Sequence, residues 1–218
     1  MRDRYSLMVG LLFGAIIVIA LIHTLNGTDN QTLGLDKLSA RWPLPEFAVP
    51  AAAGQLEGDA NVAQDDCEAA RTPCPSGDRR SSACRISTPG AIRVCSLFSR
   101  PLVVSFWFEH GGNCVAQQDV VSRAYERYRG SVNFLSIDIR DDRDTVRELI
   151  RQRGWKMPIG YDRDGAVASL YRVGGCPTFA YAYPGGTLQH ATGGELTGAQ
   201  LETQVGELLR ATRLAETR

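Results

Sequence analysis

The stretch RPLVVSFWFEHGGNC, residues 100–114, contains the features that decide the fold. Residues 101–108 are β-branched and aromatic almost without polar interruption, which is typical of a strand covered on both faces. A polar, glycine-rich turn follows over residues 109–113, and the apolar spacing after it predicts a helix over residues 114–129. Cys114 therefore lies in the first turn of a helix. Unpaired backbone N–H groups there favour an anion, and a thiolate is an anion.

The length and composition suit one ordinary domain with an additional N-terminal segment. The chain has 218 residues, of which 44% are hydrophobic, and this is enough to bury a full core. The formal net charge is zero. No excess of charge therefore points to nucleic acid or to an acidic surface as a partner.

The N-terminus has the features of a membrane anchor. Two arginines precede an uncharged, largely apolar run over residues 7–22, which with its flanks approaches the length that crosses a bilayer. Basic residues on this side predict a cytoplasmic N-terminus and an extracytoplasmic remainder. A cleaved signal peptide is the alternative, but no small-residue cleavage site follows the run. We predict a single-pass transmembrane anchor at residues 1–27, a tether at 28–42 and a folded domain at 43–213.

Six cysteines in a chain expected outside the cytoplasm suggest disulfides. Four of them lie in a segment at residues 51–96 that is poor in large apolar residues, so disulfides rather than burial are expected to hold this insert. Six, nine and ten residues separate successive cysteines and no histidine lies among them, which disfavours a metal site. Free or regulatory thiols are a further alternative. We predict two structural disulfides, with the pairing open, among Cys67, Cys74, Cys84 and Cys95.

Strands and helices alternate after the first helix. The pattern predicts a strand at residues 132–139, a helix at 141–153 and a short helix at 162–171. The segment VGGCPTF leads into a further strand, which a Pro-Gly-Gly turn joins to a return strand. A capping box, Thr197 with Gln200, predicts the start of the last helix. The predicted order of elements is β-α-β-α-β-β-α.

These residues resemble the thioredoxin superfamily, and more closely its membrane-anchored, extracytoplasmic members of the TlpA/ResA kind. That family usually shows FW, three residues and then CxxC, and Phe106, Trp107 and Cys114 fit this pattern. In VGGCPTF, Pro177 stands where the family has a cis-proline that faces the motif. The resemblance implies an α/β fold of the three-layer thioredoxin-like kind, with a central mixed sheet flanked by helices, behind an N-terminal transmembrane helix.

The chain departs from the family pattern at two positions. Gly111 replaces the first motif cysteine, so the motif is GxxC and the usual attacking thiol is missing. Ser105 stands where classical thioredoxins keep a buried acid. The resemblance brings Cys176, which precedes Pro177, against the helix end that carries Cys114. We predict that these two cysteines form a non-standard catalytic pair, with Cα atoms roughly 4.4–6.8 Å apart.

The residues around this pair are the predicted substrate contacts. A histidine in the turn before the helix can add positive charge or move a proton, and an exposed loop histidine without a catalytic role is the alternative. Gly111, Gly175 and Pro177 are the loop residues that lie near the two cysteines in the family's arrangement. The predicted substrate-binding residues are His110, Gly111, Gly175 and Pro177.

Three functions remain open. The favoured one is an extracytoplasmic thiol–disulfide oxidoreductase that acts on a protein thiol or disulfide through Cys114 and Cys176. The second is a peroxiredoxin-like thiol peroxidase that uses Cys114 alone, because peroxiredoxins resemble this family and carry TxxC. The chain lacks the Pro-x-x-x-Thr lead-in of that group. The third is a non-enzymatic binding or scaffold module in which every cysteine is structural. No cofactor and no metal are expected.

Overall fold

The computed structural model describes residues 13–15, 17–18, 42–56, 62–63, 83–85 and 87–217. The chain divides into two units, residues 1–31 and 32–218. In the first unit, residues 13–15 and 17–18 are helical. Among the described residues, no helix has both the length and the apolar character needed to cross a bilayer. Most of the predicted anchor and tether, with Cys67 and Cys74, falls outside the described residues, so the anchor stays a prediction.

A small antiparallel sheet of three strands involves the cysteine-bearing insert. Strand β1 (Phe47–Pro50) lies between β2 (Val62–Ala63) and β3 (Ala91–Arg93). All four residues of β1 are buried, and Val94 after β3 is buried as well. In the described part of the insert, strand pairing with β1 and the burial of Val94 therefore act in addition to any disulfide.

A mixed sheet of five strands forms the centre of the second unit. It lies in the order β6-β5-β4-β7-β8, in which β5 runs parallel to β4 and β6, and β7 runs antiparallel to β4 and β8. Every residue of β4 is buried, as predicted for a strand covered on both faces. The strands are β4 (Leu102–Trp107), β5 (Asn133–Ile139), β6 (Ile159–Asp162), β7 (Thr178–Ala182) and β8 (Leu188–Gly193).

In the described part of the second unit, one α-helix follows each of β4, β5, β6 and β8: α1 (Cys114–Tyr128), α2 (Arg143–Arg153), α3 (Ala166–Leu170) and α4 (Gly198–Glu216). The capping box of Thr197 and Gln200 begins α4, as predicted. Helix α3 is shorter than the predicted 162–171, because Asp162 ends strand β6 instead. The Asp162 carboxylate accepts hydrogen bonds from the backbone N–H groups of Val167 and Ala168, at 3.2 and 2.8 Å, and so caps the helix from the strand end.

The alternation of side chains along the central strands creates two cores. One face carries residues such as Val103, Trp107 and Phe134, which pack with the buried sides of α1 and α4. The opposite face carries residues such as Val104 and Phe106, which pack with β1 and α3. Cys114 belongs to the first core, so α1 delivers this cysteine to one defined face of the sheet.

Candidate active site

Cys114 and Cys176 are joined by a disulfide across 62 residues of sequence, and their Cα atoms lie 5.9 Å apart. Cys114 is the first residue of α1. Cys176 lies in the loop before β7, and its peptide bond to Pro177 is cis. The sheet brings the two segments together because β4, which leads to α1, pairs directly with β7. The separation falls inside the predicted range.

The two sulfur-bearing residues differ in exposure. Cys114 is 2% exposed and packs into the core formed by α1, α4 and the sheet. Cys176 is partly exposed and contacts the same core from the loop side. The Cys114 end of the disulfide is therefore buried, and the Cys176 end is partly exposed.

The N-terminus of α1 is held in place by its own loop and by the chain after β8. The Cys114 N–H donates to the Gly111 carbonyl at 3.1 Å, and the Gln117 N–H donates to the Asn113 carbonyl at 2.9 Å. The Gln117 side chain also bonds both the N–H and the carbonyl of Leu196, at 2.8 and 3.1 Å. Among the described residues, no side chain caps the first turn. The helix dipole there favours a thiolate on Cys114.

Gly111, at the place of the missing motif cysteine, is enclosed by the ring of Phe108. A β-carbon added at Gly111 would lie 2.7 Å from Cδ2 and 2.9 Å from Cζ of that ring, and nearer still to Cε2. Real β-carbons essentially never approach another atom so closely, so any side chain here requires the ring to move. The phenylalanine ring thus occupies the space that a cysteine at position 111 would need.

The remaining predicted contact residues lie on both sides of the disulfide. His110 is exposed, Gly175 is half-buried and Pro177 is buried. The Gly175 carbonyl accepts a hydrogen bond from the Thr178 hydroxyl at 2.7 Å, and the Pro177 carbonyl accepts one from the Gly194 N–H at 2.9 Å. The loop that carries Cys176 is therefore fixed by polar contacts at both flanks of the cysteine.

His110 lies in a small cluster of charged groups. The side chain is 83% exposed, and its Nδ1 lies 3.6 Å from Oε2 of Glu109 and 3.7 Å from Oδ1 of Asp141. The Glu109 N–H donates to the other oxygen of the Asp141 carboxylate. The three ligand atoms lie within 4.8 Å of one another, and two carboxylates with an imidazole are ligands that divalent cations accept. The same spacing also suits ion pairs with a protonated histidine.

A buried acid lies beside this cluster, and the sequence analysis missed it. Asp138 is fully buried near the end of β5, in register with Trp107 on β4. Burial, reinforced by the charge of the neighbouring Asp141 carboxyl, raises the pKa of Asp138 to about 10. The available signal was a single acidic residue in β5, whose other residues are apolar except Asn133 and Ser136. Ser105, at the position of the usual acid, is buried, and its hydroxyl has no hydrogen-bond partner within the described ranges.

A second disulfide joins Cys84 to Cys95, with Cα atoms 5.7 Å apart. Both residues are half-buried and lie in short 3-10 turns, Ala83–Arg85 and Val94–Leu97. This pair agrees with the predicted structural role of the insert cysteines. The predicted partners Cys67 and Cys74 lie outside the described residues.

The arrangement defines a thioredoxin-like α/β fold, in which helices flank a mixed sheet and a disulfide links a helix N-terminus to the loop before a cis-proline. No protein-family model matches the chain. The chain is 22% identical to the thiol-disulfide oxidoreductase ResA of Oceanobacillus iheyensis over 118 residues, which are 54% of this chain and 62% of that relative. The match thus spans less than two thirds of the length of this relative. The predicted resemblance to ResA-type proteins is confirmed.

Solved structures agree on the fold. A candidate thiol:disulfide interchange protein DsbE from Chlorobium tepidum gives a TM-score of 0.58 at 15% identity, over 79% of this chain and 99% of that one. A DsbF homologue from Corynebacterium diphtheriae gives a TM-score of 0.56 at 14% identity, over 77% and 87%. At these identities the likeness establishes the thioredoxin-like fold, and the predicted fold class is confirmed to that extent.

Proposed function

We propose that this protein is an extracytoplasmic, membrane-anchored thiol–disulfide oxidoreductase that uses the Cys114–Cys176 pair. The observation that carries the proposal is the disulfide between the helix N-terminus and the cis-proline loop, with Cα atoms 5.9 Å apart. Exchange needs one sulfur that another thiol can reach and one that leaves as a stabilised thiolate. The pair offers both in one bond.

The surroundings of Cys114 favour this function over a peroxidase that uses Cys114 alone. A peroxide must reach the thiolate that it oxidises, and Cys114 is buried in the core behind the loop that carries Cys176. Its sulfur is also bonded to Cys176. The names of the ResA and DsbE relatives, which describe thiol–disulfide chemistry, support the same choice.

The proposed substrate is a protein thiol or disulfide outside the cytoplasm. The uncharged N-terminal run with its basic flank supports the location, and the exposed Gly174 and half-buried Gly175 before Cys176 support contact with a large partner. His110, Gly111, Gly175 and Pro177 are the proposed contact residues. Protease protection of the chain in intact cells tests the location, because an extracytoplasmic domain is digested without lysis and a cytoplasmic one is not.

A disulfide-exchange assay tests the activity. Full-length protein in detergent is mixed with a substrate protein that carries one dithiol. The substrate is supplied either reduced, or oxidised together with a reductant. The redox state of the substrate is followed by mass spectrometry. The wild type is expected to turn over, and Cys114→Ser is expected to lose turnover while retaining its fold by circular dichroism. Cys84→Ser combined with Cys95→Ser is the matched control and should stay active. Turnover that is indifferent to Cys114 and Cys176 contradicts the proposal and favours the non-enzymatic alternative.

A further inference from the structure

We propose that Cys176, the loop cysteine, is the residue that forms the mixed disulfide with the substrate, and that Cys114 is the leaving and resolving thiol. This inference rests on the proposed function and assigns separate roles to the two cysteines. The helix cysteine, which the sequence motif singles out, thereby becomes the second partner in the exchange.

Access distinguishes the two sulfurs. Thiol–disulfide exchange depends on which sulfur the incoming thiolate can reach. Cys114 is 2% exposed, whereas Cys176 is partly exposed in a loop. A β-carbon added at Gly175, next to Cys176, meets no atom within 4 Å, so the loop has open space on the side-chain side of Gly175. The corresponding space at Gly111, on the helix side, is filled by the Phe108 ring.

The quality of the leaving group gives the same assignment. A thiol with a lower pKa leaves faster from a disulfide, and a helix N-terminus lowers the pKa of a cysteine in its first turn. Cys114 occupies the first position of α1, a helix of 15 residues. Cys176 lies outside any helix. Attack on Cys176 therefore expels the sulfur that the helix N-terminus stabilises, an effect that the burial of Cys114 in the core opposes.

The fixed position of Cys114 suits it to resolve the mixed disulfide. The Gln117 side chain ties α1 to Leu196 by two hydrogen bonds, and the Asn113 amide donates to Glu195 at 3.2 Å. The first turn of α1 is thus clamped to the loop after β8. Because its helix is held, the Cys114 sulfur stays near Cys176 after the bond between them opens.

The exchange balances without any other reactant. A substrate thiolate attacks Sγ of Cys176, the bond between Cys114 and Cys176 breaks, and its electron pair leaves on Sγ of Cys114. A second thiolate of the substrate then attacks the substrate sulfur of the mixed disulfide and releases Cys176 as a thiolate. The substrate has lost two electrons and become a disulfide, and the protein holds two reduced cysteines. In the reverse direction Cys176 attacks a substrate disulfide and Cys114 resolves it.

Trapping the adduct tests the assignment. Oxidised full-length protein is mixed briefly with glutathione, quenched with acid, alkylated and mapped by mass spectrometry after trypsin digestion. Cleavage after Arg123 and Arg172 places the two cysteines on separate peptides. We expect glutathione on Cys176 and the alkyl group on Cys114, in a ratio of at least ~10 to 1. The reverse distribution, in a protein that still turns over substrate, overturns this inference and leaves the proposed function intact.

Single-cysteine variants give an independent readout. The Cys176 thiol in Cys114→Ser is expected to react with iodoacetamide at least ~10-fold faster than the Cys114 thiol in Cys176→Ser, because access limits the second reaction. Equal rates, or a faster Cys114, overturn the inference. Circular dichroism spectra that match the wild type show that both variants are folded. A wild-type disulfide that glutathione never opens, together with absent turnover, overturns both this inference and the proposed function.

Discussion

The two disulfides in the described part of the chain have nearly equal Cα separations but different surroundings. Their Cα separations are 5.9 Å in the Cys114–Cys176 bond and 5.7 Å in the Cys84–Cys95 bond. Cys114 is buried in the first turn of α1, whereas Cys176 and both insert cysteines are half-buried, the insert cysteines in short 3-10 turns. Only the first bond pairs an accessible sulfur with a buried sulfur at a helix N-terminus.

This difference separates stability from redox function. The site bond closes 62 residues and the insert bond 11, so chain entropy alone assigns them about 4 and 3 kcal/mol of stabilisation. That contribution acts on the unfolded chain. In the folded protein the cysteines are already held in place, and each bond has a half-buried cysteine, so the difference in the ease of reduction is expected from thiolate stabilisation at the helix N-terminus of Cys114. The bond that closes the longer loop is therefore the one expected to open more readily.

Removing either site cysteine should have the largest effect. Cys176→Ser or Cys114→Ser is expected to lower the rate of dithiol turnover by at least ~10³-fold, because neither remaining thiol can complete the exchange. The measurement is the initial rate with a peptide dithiol. Retention of more than a tenth of the wild-type rate would contradict the assignment of redox function to the Cys114–Cys176 disulfide rather than the Cys84–Cys95 disulfide.

Replacing Asp138, the buried acid near the end of β5, should alter the pH dependence of the free energy of unfolding. Burial raises the pKa of Asp138 to about 10, so the folded protein keeps a proton that the unfolded chain releases above pH ~4. The contribution of Asp138 to the free energy of unfolding therefore falls by about 1.4 kcal/mol per pH unit from pH ~4 to ~10. Asp138→Asn should be up to ~4 kcal/mol more stable than the wild type at pH 7 and nearly equal to it at pH 4.

Urea unfolding at pH 4, 7 and 8 measures this effect. Asp144→Asn, on the exposed surface of α2, is the matched control and should show no such growth with pH. A difference between Asp138→Asn and the wild type that stays constant over this range contradicts the buried, proton-bearing state of Asp138.

Removing the insert disulfide should affect stability but not exchange. The double substitution Cys84→Ser with Cys95→Ser is expected to lower the free energy of unfolding by about 3 kcal/mol, because the unfolded chain regains the freedom of that loop. Strand pairing of β3 with β1 should keep the folded insert in place. Denaturant unfolding and the turnover assay on the same sample check both expectations, and loss of turnover would show that the two disulfides are not separable.

Filling the space at Gly111 should have a smaller effect. Gly111→Ala is expected to cost about 1–3 kcal/mol, because the new methyl group displaces the Phe108 ring. Gly130→Ala is the matched control, since a β-carbon there meets no atom within 4 Å. Thermal unfolding compares the two. Equal stability of both variants would show that the ring does not restrict position 111.

The sequence predicted the elements that carry strong local signals. The apolar run of β4, the glycine-rich turn and the helix that begins at Cys114 form one continuous pattern, and the capping box at Thr197 marks α4. These signals are local, because hydrophobic period and capping chemistry depend on neighbouring residues. The pairing of Cys114 with Cys176 could be expected only through the family resemblance, since sequence spacing does not bring them together.

Features that depend on contacts between distant segments could not be predicted. Strands β2 and β3 have two and three residues, too few to show a period, and they form only because β1 offers a partner. The packing of Phe108 against Gly111 requires the turn geometry. Asp138 is one of three polar residues in β5, and its full burial depends on tertiary packing that the strand sequence does not show.

A redox titration of the full-length oxidised protein in glutathione buffers, with acid trapping and peptide mapping of both disulfides, tests the central contrast most directly. We expect Cys114–Cys176 to be reduced at a potential at least ~30 mV less negative than Cys84–Cys95, because the helix N-terminus stabilises the Cys114 thiolate. If the two bonds titrate together, or if the Cys84–Cys95 bond is reduced first, the assignment of redox function to Cys114 and Cys176 is wrong.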